Sequence, residues 1–556
     1  MTHQFHPHSN RTLTMRGMQR NKTAGILLAV LLTPAVLILS SCTDLTEETF
    51  SVVTPENFYK TEKEITAALA PIYAQLRALE WNYWNLSQVS SDETVVPTRG
   101  QDWFDGGRWL AIHRHQWDPA LVDINGAWVD SYTGIARANG LLQTLAEIEA
   151  PNEAQLEAEV RLLRAFFYYT LLDFFGNVPI VGDDEFVVDP NNPPANASRA
   201  EVFNFIEREL LEIYDNLPEQ PPLTGRVTKW VADAILASMY LNAGVFTRNS
   251  DQLNPTGYNS CADVQVSGGQ NACQAAIQRA DNIINSGYFR LAQDASEWLA
   301  MFLPNNENAP EVIFAIQHLP ENGLGMTFQM RTLHYNQLSP SPWNGHAILA
   351  ETYNKFDQDD ARRTIFLVGQ QYAEPRGNCV GSQCYSQGDP LTDRTGAPLV
   401  YTPEIQNVTN ANEREGVRVL KYGPDPNNVN GNHGNDYAWF RLAEIYLIKA
   451  EALNELNGPS QQVIDLINEV RARVFDPPKP LNLADYSSRE ALRQAILDER
   501  LFELTWEAKR RQDLIRHGQF TRAWEFKDPS DPRVLLFPIP QAQLDANPNL
   551  QQNPGY

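Results

Sequence analysis

Cys42 is the residue with the clearest chemical role in the sequence, because it ends a segment typical of an export signal. A basic stretch precedes a largely apolar run over residues 24–39, and two serines stand just before the cysteine. This order is the pattern of a secreted lipoprotein, in which a diacylglycerol is attached to the cysteine thiol and cleavage leaves that cysteine at the N-terminus. A transmembrane helix is the alternative, but the run is short for the about 20 residues that span a bilayer, and it contains Pro34.

The sequence therefore divides into a signal peptide over residues 1–41, a lipidated tether over residues 42–54 and a single large domain over residues 55–556. The first residues are not needed for export, so translation could begin at Met15 or Met18. After the tether the chain has no second apolar run of about 20 residues, which predicts that the large domain does not cross a membrane.

Four further cysteines form two close pairs, Cys261 with Cys273 and Cys379 with Cys384. An even number of cysteines in an exported chain predicts disulfides, and both pairs lie in polar surroundings typical of surface loops. A zinc site is the alternative, but these spacings, with no histidine nearby, do not match the common ligand patterns. We expect two local disulfides and no metal site.

Neighbouring carboxylates such as Asp102 and Asp105 could serve a glycoside hydrolase, whose chemistry needs two carboxyl groups across the scissile bond. With 68 acidic residues in the chain, such neighbours also arise by chance. His113 and His115 could begin a metal site, but no third ligand lies near them in the sequence. There is no Walker loop and no Gly-x-Ser-x-Gly elbow. The sequence therefore predicts neither an enzyme nor a cofactor.

Charge and composition limit the classes of partner. The formal net charge is −24, from 68 acidic and 44 basic residues. Nucleic acids and anionic membranes bind positively charged protein surfaces, so neither is an expected partner of this acidic chain. A chain of 556 residues with 43% hydrophobic residues is long and apolar enough to bury a large core.

The elements that must position these residues are mainly helices. Apolar residues at three- and four-residue steps over residues 55–79 predict an amphipathic helix. Similar patterns predict helices over residues 128–145, 153–174, 199–217, 229–241, 272–286, 439–453, 460–473 and 488–514. Residues 287–437 are instead rich in Gly, Pro and Asn, with a β-like run at 311–316, and they predict a loop-rich insertion. Loops this long in a packed protein are usually functional.

Three of the predicted helices share alanines beside Tyr and Leu, at residues 165–172, 234–241 and 443–450. Small side chains let neighbouring helices approach closely, as stacked helical hairpins of the tetratricopeptide type require. The repeat is degenerate and interrupted. It favours an α-solenoid-like scaffold without establishing one.

Several short motifs follow Cys42 in a characteristic order. They are residues 91–93 (Ser-Asp-Glu), 137–139 (Arg-Ala-Asn), 164–168 (Arg-Ala-Phe-Phe-Tyr), 175–179 (Phe-Gly-Asn-Val-Pro), 225–228 (Gly-Arg-Val-Thr), 441–447, 450–452, 499–514 and 537–556. With these motifs in this order, the chain resembles the RagB/SusD family of outer-membrane nutrient-binding lipoproteins. Each motif alone is weak, and the specificity comes from the whole set.

The resemblance implies a mainly α, SusD-like fold. Four tetratricopeptide-like helix pairs would form a right-handed α-superhelix, packed on an irregular, loop-rich ligand-binding half with short β-hairpins. It also implies a lipid-anchored protein on the outer face of the outer membrane, acting as the lid of a SusC-type TonB-dependent transporter. The acidic run after Cys42 resembles the surface-export signals of Bacteroidota lipoproteins. The expected ligand is an oligosaccharide, with a peptide as the alternative.

Neutral oligosaccharides present apolar C–H faces edged by hydroxyls, so a glycan binder needs aromatic rings beside a few polar groups. The family places ligand contacts after the first long helix and in the central insertion, where residues 99–109 and 334–345 supply this mixture. The expected contacts are Arg99, Trp103, Asp105, Trp109 and Trp343, with Trp81, Trp84, Tyr335 and Asn336 as weaker candidates. For each ring the alternative is packing in the core, which is the expectation for Trp128, Trp230, Trp439 and Trp506.

Overall fold

Helices built on the predicted apolar patterns dominate the structure, a computed structural model that describes residues 61–148, 150–182, 188–189, 191–373 and 379–556. The expected signal peptide, Cys42 and the tether lie outside the described residues. The helices are α1 (Glu62–Val89), α2 (Arg108–His113), α3 (Val122–Leu145), α4 (Glu153–Phe174), α5 (Arg199–Ile213), α6 (Lys229–Leu241), α7 (Ala243–Phe246), α8 (Ala272–Ile284), α9 (Ala295–Ala300), α10 (Phe328–Thr332), α11 (Ala350–Tyr353), α12 (Leu442–Asn457), α13 (Gln461–Arg471), α14 (Arg489–Leu504), α15 (Arg510–Arg516) and α16 (Gln541–Ala546).

Eight short strands accompany these helices. They are β1 (Thr94–Val95), β2 (Val312–Ile316), β3 (Ala347–Ile348), β4 (Phe366–Leu367), β5 (Gly369–Gln370), β6 (Val400–Tyr401), β7 (Arg418–Val419) and β8 (Tyr437–Arg441). They pair antiparallel as β1 with β3, β2 with β8, β4 with β7 and β5 with β6. Three of the four pairs join strands that are not consecutive in the chain, and the fourth joins the consecutive strands β5 and β6. Three of these sheets tie distant segments together, and the antiparallel pairing near β5 and β6 continues in the local bridge of Thr392 with Pro398.

The long helices pack as neighbours in a chain of contacts. α3 lies against α1 and α4, α4 lies against α5, and α12 packs against α8, α13 and α14. α4 is buried along most of its length, and its aromatic run at Phe166, Phe167 and Tyr168 has no exposed surface. The expected helices over 153–174 and 229–241 are confirmed residue for residue by α4 and α6. The number and handedness of tetratricopeptide-like pairs stay a prediction.

Two helix predictions need correction near the C-terminus. Trp439 lies on β8 rather than on a helix, because residues of β8 are buried on both faces and pair with β2. The predicted helix over 488–514 is two helices, α14 and α15, since Trp506 and Ala508 between them adopt φ values of 71° and 59°. Such left-handed backbone cannot continue an α-helix.

Residues 287–437, expected to form a loop-rich insertion, contain only short elements where the structure describes them. In its described part no helix exceeds six residues, the length of α9. Both predicted disulfides are present, Cys261 with Cys273 before the insertion and Cys379 with Cys384 inside it. None of the helices over the described ranges has the length and apolarity to cross a bilayer.

A buried ion-pair network joins the insertion to the C-terminal helices. Glu503 on α14 lies 3.1 Å from Arg362 Nη1, 3.0 Å from Arg441 Nη1 and 2.8 Å from Arg473 Nη2. It also accepts a hydrogen bond of 2.9 Å from Trp298 Nε1. The charged side chains are at most 3% exposed. Burial alone would raise the pKa of Glu503, but the arginines outweigh it and hold the pKa well below its usual range. The carboxylate therefore stays charged and links the two regions.

Candidate functional site

Three tryptophans from separate parts of the chain meet at one place, which we call the aromatic surface: Trp81 on α1, Trp103 in the loop before α2, and Trp343 before β3. The ring centroids of Trp81 and Trp343 are 6.4 Å apart in an edge-to-face arrangement, and those of Trp103 and Trp343 are 6.5 Å apart. Each of the three side chains is partly exposed. The two stretches that the sequence indicated separately therefore contribute to one surface.

The loop that carries Trp103 is held in an unusual backbone conformation. Arg99 and Asp102 exchange two backbone hydrogen bonds of 3.0 Å, which close a tight turn. Trp103 then adopts a φ of 62°, which is rare for a bulky residue and persists only where the surroundings impose it. The indole Nε1 of Trp103 donates a hydrogen bond of 2.6 Å to the carbonyl oxygen of Trp343. This bond fixes the loop to the insertion.

Trp103 packs directly on the backbone of Gly345. A Cβ atom added at Gly345 would lie 2.3 Å from the Trp103 ring. The other side of the contact is formed by Trp109 and His346, whose rings lie 5.4 Å from that of Trp103. Trp103 is thus both an anchor for its loop and part of the exposed surface, so the two roles considered for it are not exclusive.

Gly345→Ala is expected to destabilise the protein by about 1–3 kcal/mol, since an inserted methyl group in a packed contact forces its neighbours to shift. The displaced group would be the Trp103 ring, which also packs against the rings of Trp109 and His346. Denaturant unfolding checks this. Gly140→Ala on α3 is the control, because a Cβ there meets nothing within 4 Å. The control is expected to be neutral or slightly stabilising, and an equal loss in both variants would contradict the packing described for Trp103.

Arg331 supports the aromatic surface from below. Its guanidinium carbon lies 4.1 Å from the centroid of the Trp81 ring and 4.8 Å from that of Trp84, so it covers one face of each ring. Burial lowers the pKa of Arg331 to about 10, and the group therefore remains a cation at neutral pH. A cation held against an indole face is favourable where water is excluded. Trp81 is positioned by this contact.

Three expected contact residues are too buried to touch a ligand in this structure. Arg99 is 2% exposed, and its guanidinium donates to the carbonyl oxygens of Asn344 and Glu415 at 2.9 Å. Trp109 is 1% exposed, and Trp84 has no exposed surface. We therefore revise the expectation of direct contact for Arg99 and Trp109. The first holds the loop to the insertion, and the second lies beneath Trp103.

Asp105 is exposed, but its carboxylate is engaged within its own loop. Its Oδ2 accepts a hydrogen bond of 2.7 Å from Trp109 Nε1 and lies 3.6 Å from Arg108 Nη2. Phe104, next to it, is 54% exposed and is the more accessible apolar group of the loop. The adjacency of Phe104 to Trp103 was visible in the sequence, and the exposure of its ring was not.

A polar cluster borders the aromatic surface on the side of Asp102. The Tyr335 hydroxyl donates to Asp102 Oδ2 at 2.6 Å, and Arg394 Nη2 donates to the same oxygen at 3.0 Å. The Arg394 guanidinium carbon lies 3.9 Å from the centroid of the Tyr335 ring and also pairs with Glu413. Asn336 is exposed, and its side-chain nitrogen donates to the Thr392 carbonyl at 2.8 Å. Because the guanidinium of Arg394 is shared between the carboxylates of Asp102 and Glu413, the cluster presents polar edges with a small negative excess.

Arg394 and Glu413 could not be found from the sequence. They stand in irregular loops far along the chain from Tyr335, and no periodic pattern or motif marks them. The long-range folding of the insertion alone brings them to Asp102. Trp128, Trp230, Trp439 and Trp506, in contrast, are at most 6% exposed, which confirms the expectation that they pack in the core.

His113 and His115 serve the structure. His113 places its two ring nitrogens 3.0 Å and 2.9 Å from the carbonyl oxygens of Thr94 and Glu525. Burial lowers the pKa of His113 to about 4 and that of His115 well below its usual value, so both rings are neutral at pH 7. Within the described ranges no group of three or more His, Cys, Asp or Glu side chains is arranged to hold a metal ion.

Two protein-family models match the chain. The SusD family model matches residues 310–556, and a model described as "Starch-binding associating with outer membrane" matches residues 51–241. The starch-binding protein SusD of Bacteroides thetaiotaomicron is 25% identical, over 79% of this chain and 80% of that protein. SusD-like protein P25 of Formosa agariphila is 24% identical, over 93% of this chain and 97% of that protein.

Solved structures agree with the fold. A SusD homolog from Bacteroides thetaiotaomicron superposes with a TM-score of 0.69 at 22% identity, covering 90% of this chain and 98% of that one. Surface glycan-binding protein A from the same organism, in complex with laminarihexaose, gives a TM-score of 0.64 at 20% identity and covers 89% and 100% of the two chains. The mainly α, SusD-like fold expected from the sequence is confirmed.

Proposed function

Because this chain belongs to the SusD family, we propose that it is a surface lipoprotein that binds an oligosaccharide at the aromatic surface and does not cleave it. The observation that carries the proposal is the meeting of Trp81, Trp103 and Trp343, three partly exposed rings from distant segments. Exposed aromatic clusters of this kind are unusual on a protein that has no ligand for them, since burying each ring would be favourable.

The geometry suits a sugar chain. The rings are mutually tilted, at 66° between Trp81 and Trp343 and 48° between Trp103 and Trp343, so they form an uneven rather than flat surface. Such a surface fits a bent chain whose sugar faces turn from one unit to the next. Hydroxyl groups at the edges would find hydrogen-bonding partners in Asp102, Arg394 and Asn336. Since Arg394 is already paired with carboxylates, the site favours neutral sugars over acidic ones.

The relatives support the class of ligand. One is named for binding starch, and solved neighbours include a laminarin-binding SusD-like protein and a complex with laminarihexaose. At 20% to 25% identity the individual contacts do not transfer between chains. The proposed ligand is therefore an oligosaccharide, and a panel of oligosaccharides identifies the particular sugar.

Binding without hydrolysis is supported by the state of the carboxylates. Asp102 accepts hydrogen bonds from Tyr335 and Arg394, and Asp105 accepts one from Trp109. A glycosidase needs one carboxyl group free to donate a proton and a second free to attack or activate water. Asp102 and Asp105 are instead held by side chains of the site, an arrangement that suits fixing the hydroxyl groups of a ligand.

A panel of oligosaccharides tests the proposal. The purified protein is titrated with neutral starch-derived and laminarin-derived oligosaccharides, acidic oligosaccharides and peptides, and the sugars are then analysed for chain length. Saturable binding of at least one neutral oligosaccharide, recovered at its original length, is the expected result. Binding of peptides alone would contradict the proposed ligand class, and shortened products would contradict binding without cleavage.

The anchoring and transport roles complete the proposal. They rest on the export pattern at Cys42 and on the family resemblance, which imply an outer-membrane lipoprotein acting as the lid of a SusC-type TonB-dependent transporter. The lid would hold the oligosaccharide against the barrel before energy-driven import. Trp343→Ala should weaken ligand binding while the complex with the barrel still forms.

Cys42→Ala is expected to abolish retention at the cell surface while leaving oligosaccharide affinity within about twofold, because the aromatic surface lies in a domain that does not depend on the lipid. Cell fractionation and protease accessibility measure the first effect, and titration of the released protein measures the second. A correctly folded variant that no longer binds the sugar would show that the anchor is more than a tether.

A further inference from the structure

A second cavity, chemically unlike the aromatic surface, lies at the far end of α2. It has a volume of about 520 Å³ and is walled by residues 114–116, which follow α2, and by residues of the segment 524–534. It shares no lining residue with the aromatic surface. Since α2 has six residues, about 9 Å of helix separates the Trp103 loop from this cavity. We call it the basic cavity.

Three cationic side chains line the basic cavity: Arg114, Lys527 and Arg533. In the described part of the chain no carboxylate oxygen lies within 4.0 Å of any of their charged nitrogens. The other deeply buried lysines differ, since Lys421 pairs with Glu507, and Lys509 lies 3.1 Å from a carboxylate oxygen of Glu444. In a chain with a net charge of −24, a cavity with three such cations is distinctive.

Lys527 is the most buried of the three, at 4% exposed. Its ammonium donates to the carbonyl oxygens of Arg522 at 2.7 Å and of Asp528 at 3.2 Å, and it lies 3.9 Å from the centroid of the Trp524 ring. An ammonium group has three N–H donors. Two contacts with carbonyl oxygens leave one donor, and no side chain supplies a full counter-charge.

Trp524 contributes a second unused donor. It lines the cavity and is 6% exposed, yet its indole Nε1 has no hydrogen-bond acceptor among the described residues. Buried indole N–H groups normally find an acceptor. Lys527, with one N–H donor left over, and Trp524, with its indole N–H unpaired among the described residues, both belong to the wall of this cavity.

Two carboxylates also belong to the wall, Asp528 and Asp531, and both residues are exposed. Asp531 is committed to the backbone, because its Oδ1 accepts a hydrogen bond of 2.9 Å from the Arg533 N–H. The buried part of the wall is thus cationic and its exposed rim is mixed. We infer that the basic cavity binds a small oxyanion, a carboxylate or a sulfate group, with Lys527 as its principal counter-charge.

The protonation of Lys527 supports this inference. Burial, together with the nearby Arg522, lowers the pKa of Lys527 to about 7, while Asp528 opposes the shift. A bound anion stabilises the ammonium form, so binding would take up a proton at and above pH 7. Anion affinity should be highest below pH 7 and should fall as the pH rises above it.

The pH dependence of anion binding can be assigned to Lys527 only if no neighbouring group changes charge in the same pH range. Asp528 follows Lys527 directly in the chain, Arg522 lies five residues before it and acts on its charge, and Arg114 and Arg533 share the cavity. His115 lines the same cavity, and His113 is close enough to be affected by the lysine charge. Burial lowers the pKa of both histidines, to about 4 for His113 and well below the usual value for His115, so neither changes charge between pH 6 and pH 9.

Titration calorimetry of the purified protein with sodium sulfate, and separately with glucuronate, tests the inference. Glucose serves as the neutral probe, and ionic strength is held constant with sodium chloride. We expect saturable binding at pH 6.0 of at least one of the two anions and none of glucose. Affinity should fall at least about tenfold in Lys527→Met, the size of effect that loss of a charge-assisted hydrogen bond produces. Binding of sulfate alone would indicate a sulfate group, and binding of glucuronate alone would indicate a sugar acid.

Lys479→Met is the matched control, because Lys479 is an exposed lysine paired with Asp357 and Asp359, away from the cavity. Arg533→Gln removes a second cation without touching Lys527, and it keeps the test valid if Lys527→Met fails to fold. Binding of the anion should also shift the indole ¹H–¹⁵N resonance that Trp524→Phe removes. The inference is overturned if the unmodified protein binds neither anion at pH 6.0, or if affinity is unchanged in both cavity variants.

Discussion

Glu503→Gln is expected to lower the free energy of unfolding by about 3–5 kcal/mol, the cost of removing one partner from a buried ion pair. The amide has nearly the volume of the carboxylate, so packing is preserved and the change removes charge. Arg362, Arg441 and Arg473 would each keep another carboxylate, but they would lose the one that they share, in a place where water cannot replace it. The result would be a weaker connection between the insertion and α14.

Chemical denaturation of the variant and of the unmodified protein in the same buffer measures this loss of stability. Glu490→Gln is the matched control, because it changes the same residue type on the same helix, where the Glu490 side chain is 72% exposed and only 3.5 Å from Arg493. Exposed pairs contribute about 0–1 kcal/mol, so the control should hardly change stability. Equal stability of the two variants would show that the network does not hold the regions together.

Trp343→Ala is expected to weaken oligosaccharide binding by at least about 30-fold, or about 2 kcal/mol, the loss typical of a central aromatic contact. The Trp343 ring is the one that neighbours both Trp81 and Trp103, so its removal divides the aromatic surface. The substitution keeps the backbone carbonyl that accepts the Trp103 hydrogen bond. The loop should therefore remain in place, and the loss should report the ring alone.

Tyr288→Ala is the control for this measurement. Tyr288 is 42% exposed and pairs with Trp230 on another part of the surface, where it also donates to Glu219 at 2.9 Å. The affinity of Tyr288→Ala for the oligosaccharide should stay within about twofold of that of the unmodified protein. A similar loss in both variants would indicate a general effect of removing exposed rings, and an unchanged affinity in Trp343→Ala would remove Trp343 from the site.

Much of the helical framework could be predicted from local sequence. Residues 153–174 and 229–241 form α4 and α6 with the expected bounds, because their apolar patterns agree with burial against neighbouring helices. Trp439 and Trp506 show where this fails. Trp439 is drawn into β8 by pairing with a strand more than a hundred residues away, and Trp506 adopts a left-handed backbone between two helices. Neither cause is local.

The site could be predicted in part. Glycine-flanked tryptophans in loops indicated Trp103 and Trp343, and the structure brings their rings within 6.5 Å. Arg99 is of a residue type suited to ligand contact. Its guanidinium instead donates hydrogen bonds to the carbonyl oxygens of Asn344 and Glu415, which lie far along the chain. Arg394 reaches Asp102 only through folding of the insertion. Exposure and long-range pairing decide these roles, and neither is encoded in a short segment.

The most direct test of oligosaccharide binding at the aromatic surface is a crystal structure of the protein with the oligosaccharide that binds most tightly in the panel. We expect at least one sugar ring in van der Waals contact, about 4 Å between heavy atoms, with Trp343 and with Trp81 or Trp103. We also expect a sugar hydroxyl within hydrogen-bond distance of Asp102, Arg394 or Asn336. An oligosaccharide bound with full occupancy elsewhere, leaving these three rings untouched, would contradict the account.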